Sequence, residues 1–220
     1  MNDQQPGGLL ERRYPELLTG VVIVAMALAM GTWFDLRAAD PMFDEPILDA
    51  RIYLDWSREI AGGDLLGERV FFLNPLYAYV LAPVVGLAGP SSDLLAIRTL
   101  QVILGALSAM LVAGTARRLA GPGTGLLAGL LTAAWPLLLY YEQRVMSVTL
   151  AVFLNALALR LLVRFADRPG IRAAFLAGLP IGLSILTRPN VALFLVLLPL
   201  WFLSAARPGR RVRSALAWSV

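Results

Sequence analysis

Residues 35–79 read DLRAADPMFDEPILDARIYLDWSREIAGGDLLGERVFFLNPLYAY, and they are the polar exception in an apolar chain. Nine of the fifteen acids lie between Asp35 and Glu68. A chain that gathers its carboxylates into one loop between apolar runs keeps its polar chemistry in that loop. Inside it, Ile52, Trp56 and Ile60 recur every four residues with Tyr53 beside them, while Asp55, Arg58 and Glu59 take other faces. This pattern predicts an amphipathic helix over 49–60, lying along a membrane surface. Asp49 follows Pro46 closely and is placed to cap its start, and Gly62–Gly63 ends it.

Outward from the loop, 58% of the 220 residues are hydrophobic and mean hydropathy is +0.70, too apolar for a soluble domain. The expected fold is all-α, a polytopic transmembrane bundle forming one membrane domain over 1–220. Its long outer first loop, 35–93, carries juxtamembrane helices. Expected spans cover 17–34, 94–116, 123–141, 146–165, 173–187 and 191–205. The first is an uncleaved span, because Asp35–Leu36–Arg37 is a poor cleavage site. The last two spans form a hairpin turning at Arg188–Pro189–Asn190. Small-residue pairs, Gly125 with Gly129 and Gly178 with Gly182, suit close helix packing. The final SALAWSV reads as the start of a further span, so the chain is expected to be a piece of a longer protein.

The stretch 70–89 is apolar enough to cross, but Asn74, Pro75 and Pro83 interrupt it. If it does not cross, twelve arginines fall on the cytoplasmic side and seven outside; if it crosses, five fall inside and fourteen outside. The positive-inside rule selects a re-entrant or juxtamembrane element and a cytoplasmic N-terminus. The net charge of +4 is therefore read as orientation, with no nucleic-acid partner.

The chain has no Cys, no His and no Lys; all nineteen basic residues are Arg. Thiol chemistry, imidazole bases, Schiff bases and a phosphate-loop lysine are excluded. Acid–base work falls to Asp, Glu or Tyr, and fixed positive charge to Arg. From the residues alone, Asp49 reads as a helix cap or as a base. Asp44–Glu45 reads as a solvated pair or as a rival site. Asn74 and Tyr77 read as an interfacial turn or as the floor of a headgroup site. Glu142 reads as half of a Glu142–Arg144 pair or as a group facing the same cavity as Asp49. Arg188, alone in an uncharged hairpin, reads as a snorkelling anchor or as a phosphate ligand.

The ordered set of features resembles the N-terminal module of GT-C membrane glycosyltransferases. That set is a first span, Asp and Tyr on a loop helix, Gly62–Gly63–Asp64, Asn74–Pro75–Leu76–Tyr77, Gly121–Pro122–Gly123 and LAGLPIGLSILTRPN. It is most similar to the protein O-mannosyltransferase-like family 39 and its bacterial relatives, including lipid A aminoarabinose transferase. Those families carry Asp-Glu before an aromatic. Counted back from Tyr53, the Asp falls on Asp49 and the Glu position holds Ala50. The literal Asp44–Glu45 comes five residues too early. The Glu-Lys of the aminoarabinose enzymes aligns with Phe72 and Leu73, which speaks against that sugar.

The resemblance implies an inverting hexosyl or pentosyl transfer from a polyprenyl-phosphate donor to a glycan, lipid or protein acceptor. This takes place at the outer face of a bacterial inner membrane. Asp49 is the implied catalytic residue, and Tyr53, Asn74, Tyr77, Glu142 and Arg188 are the implied substrate-binding residues. Neither metal nor cofactor is implied. The competing expectations are a non-catalytic membrane scaffold and a lipid-linked sugar transporter. A transporter would place broken helices and polar groups near the midplane and show a repeated half.

Overall fold

The computed structural model describes residues 7–66, 73–194 and 197. Among the described residues there are eight α-helices, one 3₁₀ turn and no strand. They are α1 (Gly7–Ala39), α2 (Asp49–Ala61), α3 (Leu76–Ala88), α4 (Asp93–Ala120), α5 (Pro122–Ala133), α6 (Pro136–Glu142), α7 (Val148–Asp167) and α8 (Ile171–Thr187). The 3₁₀ turn is Pro189–Leu193. The all-α expectation holds. Glu68, Arg69 and the opening of 70–89 lie outside the described residues, as does the expected span 191–205 beyond Phe194, apart from Leu197.

Three helices, α1, α4 and α7, are long and apolar enough to cross a membrane, and α5 with α6 makes a fourth candidate. Ile23, Met30, Phe34, Leu127, Leu131, Leu159 and Phe175 are exposed. So much apolar surface facing outward is what a lipid solvent stabilises and water does not. The chain is a multi-pass membrane protein.

The expected continuous helix over 123–141 is broken. Trp135 is extended, α6 begins at Pro136, and the two halves meet at 53°. Proline disfavours helical geometry in the residue before it and has no N–H for the ladder. The α4–α5 turn is made by Gly121 at φ 93, a left-handed conformation that favours glycine.

Two cores hold the bundle. One joins α1, α4 and α5 through Val21, Ala25, Ala106, Ala109 and Ala133. Here Gly125 and Gly129 do the close packing expected of them: a Cβ on Gly125 would meet the Ala113 carbonyl oxygen, Arg117 Cβ and the Tyr14 hydroxyl at 2.7 Å each. The other pair is a correction. Gly178 and Gly182 have nothing within 4 Å of a Cβ, so the α8 spacing marks no close contact in the described structure. The α7–α8 pair is instead tied by Ser184, whose hydroxyl donates to Asn155 Oδ1 at 2.8 Å.

The second core lies at the loop end and joins α2, α3, α4 and α7 through Tyr53, Leu54, Tyr77, Leu81, Ile97 and Leu154. The buried face of α2 is Tyr53, Leu54, Ser57 and Ile60, while Ile52 is exposed. The expected stripe of Ile52, Trp56 and Ile60 is thus rotated. The aromatic ring of Tyr53 takes the inner position because Tyr77 of α3 receives it edge-on, with ring centroids 4.9 Å apart. Helix α3 runs beside α2 in the same direction: Tyr53 meets Tyr77 near their starts, and Ala61 meets Gly86 near their ends. Arg58 then clasps Asp93 at the start of α4, with Nη2 to Oδ2 at 2.6 Å. Tyr77 bonds Gln101 two turns into α4, so α3 flanks only the first part of a helix about 42 Å long.

Candidate active site

The loop between α1 and α2 is held down by arginines of the bundle. Arg98 of α4, 6% exposed, donates to Asp44 Oδ1 at 2.8 Å, to the Phe43 carbonyl and to the Gln143 carbonyl at 3.3 Å. Its guanidinium also stacks on the Phe43 ring, 3.8 Å from the centroid. Arg144 pairs with Asp40 at the loop's start. Two sequence readings are corrected here. Arg144 has Asp40 as its partner rather than Glu142. Asp44 is bridged by Arg98 and Arg37, so it is not a free solvated charge. The Arg144 guanidinium holds the half-buried Asp40 carboxyl below its usual range, chiefly by hydrogen bonding.

This anchoring walls a cavity of about 630 Å³ between the loop and the α6–α7 connection. Glu45, Asp49, Arg98, Tyr140, Gln143 and Arg144 are among its lining residues. That volume suits a small-molecule site. Gln143 Oε1 and Arg144 Nε are buried and use no hydrogen-bond partner within the protein. Buried polar atoms of this kind are costly unless something satisfies them, and both belong to residues that line the cavity.

Asp49 stands at the rim of the cavity in the first turn of α2. The N-cap position belongs to Leu48, with no side-chain cap bond, so the capping role read for Asp49 is not the one it has. Leu48 is the one non-glycine residue with positive φ among the described residues, at φ 52. It turns the chain tightly, with the Ala50 N–H donating to the Ile47 carbonyl at 3.2 Å. Leu48 is itself exposed, so the contacts offsetting this strain are those of the anchored loop before it.

The other residues read from the sequence divide into two groups. Asp49 and Arg188 both lie near enough to act on the Tyr53 hydroxyl, with Ser147 beside it. Burial pushes the Tyr53 phenol above its usual range; the Asp49 charge adds to this, and Ser147 and Arg188 oppose it. Both charged residues are exposed, and neither has an ion pair among the described residues. The second group is interior. Tyr77 is 1% exposed, and its hydroxyl donates to Gln101 Oε1 at 2.7 Å. Gln101 in turn donates to the carbonyls of Glu142 and Arg144. The Glu142 carboxyl is buried against Gly105 of α4, outside the cavity lining. Asn74 is half-buried just before α3.

Sequence reasoning missed Arg98, Gln101 and Ser147 as parts of this architecture. Arg98 and Gln101 carried a usable signal: two polar residues three apart near the start of an apolar span are costly there unless they have partners. Ser147 carried none.

The chain is thus an apolar helix bundle with a charged loop pinned over one end and a cavity beneath that loop. The chain matches the family described as dolichyl-phosphate-mannose-protein mannosyltransferase over residues 74–220, and it belongs to that glycosyltransferase family. The resemblance read from the sequence is borne out. The match begins at Asn74, so α1, the anchored loop and α2 precede it. Searches of curated proteins and of solved structures found no match.

Proposed function

We propose that the chain transfers a sugar from a polyprenyl-phosphate donor to a hydroxyl acceptor at the outer face of a bacterial inner membrane. The observation that carries this reading is the placement of Asp49 and Arg188. Two exposed charges of opposite sign, with no ion-pair partner among the described residues, both act on the Tyr53 phenol, and Asp49 lines the cavity under the loop. In the proposed step Asp49 takes the acceptor proton as the acceptor oxygen bonds the sugar's C1. The bond from C1 to the donor phosphate oxygen breaks with inversion, and its electron pair leaves on the polyprenyl phosphate. Arg188 offsets that charge with a planar fork suited to phosphate. Tyr53, on which both charges act, orients the reactants in this reading. Tyr77 and Gln101 hold Tyr53 and the α6–α7 connection in place, Asn74 borders the substrate region just before α3, and Glu142, buried against Gly105 outside the cavity lining, has a packing part in this reading. The arginine partition supports a cytoplasmic N-terminus, and the course of α3 beside the start of α4 supports a re-entrant 70–89.

The test uses the purified protein in detergent with a labelled polyprenyl-phosphate sugar. Asp49→Asn keeps the shape, so folding should hold while turnover falls by roughly a hundred- to ten-thousandfold and donor binding persists. Arg188→Lys should weaken donor binding although the charge remains. Near-normal transfer by Asp49→Asn with loss in Glu45→Gln would move the base to Glu45, which lines the same cavity. Full activity in both would leave the scaffold reading.

A further inference from the structure

The opposite end of the bundle carries a second cavity, of about 790 Å³, where α1 begins, α4 and α7 end and α5 starts. Its walls carry Arg117, Arg118, Arg160 and Arg168 against Glu11 and Asp167. Arg117 pairs with Glu11, and Arg118 pairs with Asp167. Arg160 and Arg168 have no carboxylate partner among the described residues. The cavity wall therefore keeps two uncompensated positive charges.

Arg160 is the telling residue. It is half-buried in α7, its Nη1 donates to the Gly114 carbonyl of α4, and the charges acting on it are the like charges Arg164, Arg118 and Arg117. Orientation in the membrane requires arginines near this end, but it does not require one turned inward among others. Holding a guanidinium there costs free energy that an anion would offset. Arg117 lies over the Tyr14 ring, 4.0 Å from the centroid, and the Tyr14 hydroxyl donates to the Ala113 carbonyl at 2.9 Å, so one cationic wall is fixed in place.

We propose that this cavity binds a phosphate group, through the guanidinium forks of Arg160 and Arg168. Two net charges and an all-arginine donor set match a phosphate monoester better than a carboxylate. The apolar side chains of Leu18 and Val163 also line the cavity. Leu18 and Val163 belong to α1 and α7, both long and apolar enough to cross a membrane, so the cavity opens at the end of membrane-crossing helices. That placement favours a lipid headgroup of the leaflet opposite the Asp49 site over free phosphate. This inference is independent of the proposed transfer chemistry.

The experiment measures binding of dioctanoyl phosphatidic acid to the purified full chain in a neutral detergent. Dioctanoylglycerol and inorganic phosphate serve as comparison probes. Phosphatidic acid should bind and dioctanoylglycerol should not. Arg160→Gln and Arg168→Gln should each weaken binding by roughly ten- to a hundredfold, and Arg51→Gln at the loop end should not change it. Inorganic phosphate binding with the same variant sensitivity would support the phosphate site and identify free phosphate as its ligand; weak phosphate binding beside tight phosphatidic acid binding would identify the lipid. Equal binding of dioctanoylglycerol, or unchanged binding in both variants, would overturn the proposal. Because Arg168 is exposed, Arg168→Gln keeps the test valid should Arg160→Gln fail to fold.

Discussion

Replacing Arg98 with methionine tests how the loop bearing Asp49 is held. Methionine fills much of the same volume, so the change removes bonds without opening a large cavity. Four interactions go. The ion pair with Asp44 counts for little, because that carboxylate is 51% exposed and rehydrates. The Phe43 and Gln143 carbonyls lose their buried donor, which costs on the order of 1–3 kcal/mol each where water cannot replace it. Loss of stacking on Phe43 adds about 0.5–1 kcal/mol. Together these come to about 2.5–7 kcal/mol, and the low end, about 3 kcal/mol, is expected because the 3.3 Å bond to the Gln143 carbonyl is long. It should fall on the loop rather than on the bundle, since α4 packs on α5 and α7 through other residues. Hydrogen exchange of the amides of residues 41–49 should therefore quicken by about a hundredfold, while those in the middle of α4 and α7 keep their protection. Turnover should fall with it, because Leu48 and Asp49 lose the anchor that fixes their geometry. Arg98→Lys should recover little, since one ammonium cannot reproduce a fork that grips two carbonyls and stacks on a ring. Unchanged exchange in the loop, or equal acceleration throughout α4, would refute the reasoning.

Gly125→Ala should destabilise the fold by about 1–3 kcal/mol in a reversible unfolding assay, because its Cβ meets a backbone carbonyl at 2.7 Å. Gly178→Ala should be neutral or slightly stabilising, and equal effects at the two sites would contradict the packing described. Spectrophotometric titration of wild type against Tyr53→Phe should show Tyr53 ionising above the ordinary tyrosine value of 10.0. With a raised folded pKa, its contribution to stability is full below pH 10 and is lost as pH rises through the folded value, so ionisation at or below 10 would refute its burial.

The candidate site was partly legible in the sequence. Asp49 and Tyr53 stand four apart on a predicted helix, and that helix exists with nearly the expected bounds. Arg188 stood out as a charge in an apolar hairpin, and its charge acts on the Tyr53 phenol. What failed to show was how these groups are held. Asp44 looked free because its buried partner, Arg98, lies far off in sequence on α4, and its nearer partner, Arg37, reaches it only because the loop folds back on the end of α1. Glu142 and Arg144 looked like partners because they are neighbours, yet the carboxyl packs against Gly105 and the guanidinium reaches Asp40.

Properties that depend on one segment at a time were determined by the sequence alone. The long apolar runs made membrane helices, because an isolated stretch satisfies its own backbone hydrogen bonds in lipid whatever surrounds it. The concentration of acids in 35–68 marked the polar end, because charge does not cross lipid cheaply. Properties that depend on a second segment were decided by the tertiary structure. The rotation of α2 followed from the Tyr77 ring it packs on. Gly125 became a contact and Gly178 did not because α4 lies against the first and no side chain approaches the second. The pairing of Arg98 with the loop arose where α4 meets it, since a buried guanidinium takes whichever acceptors the neighbouring backbone brings within about 3 Å.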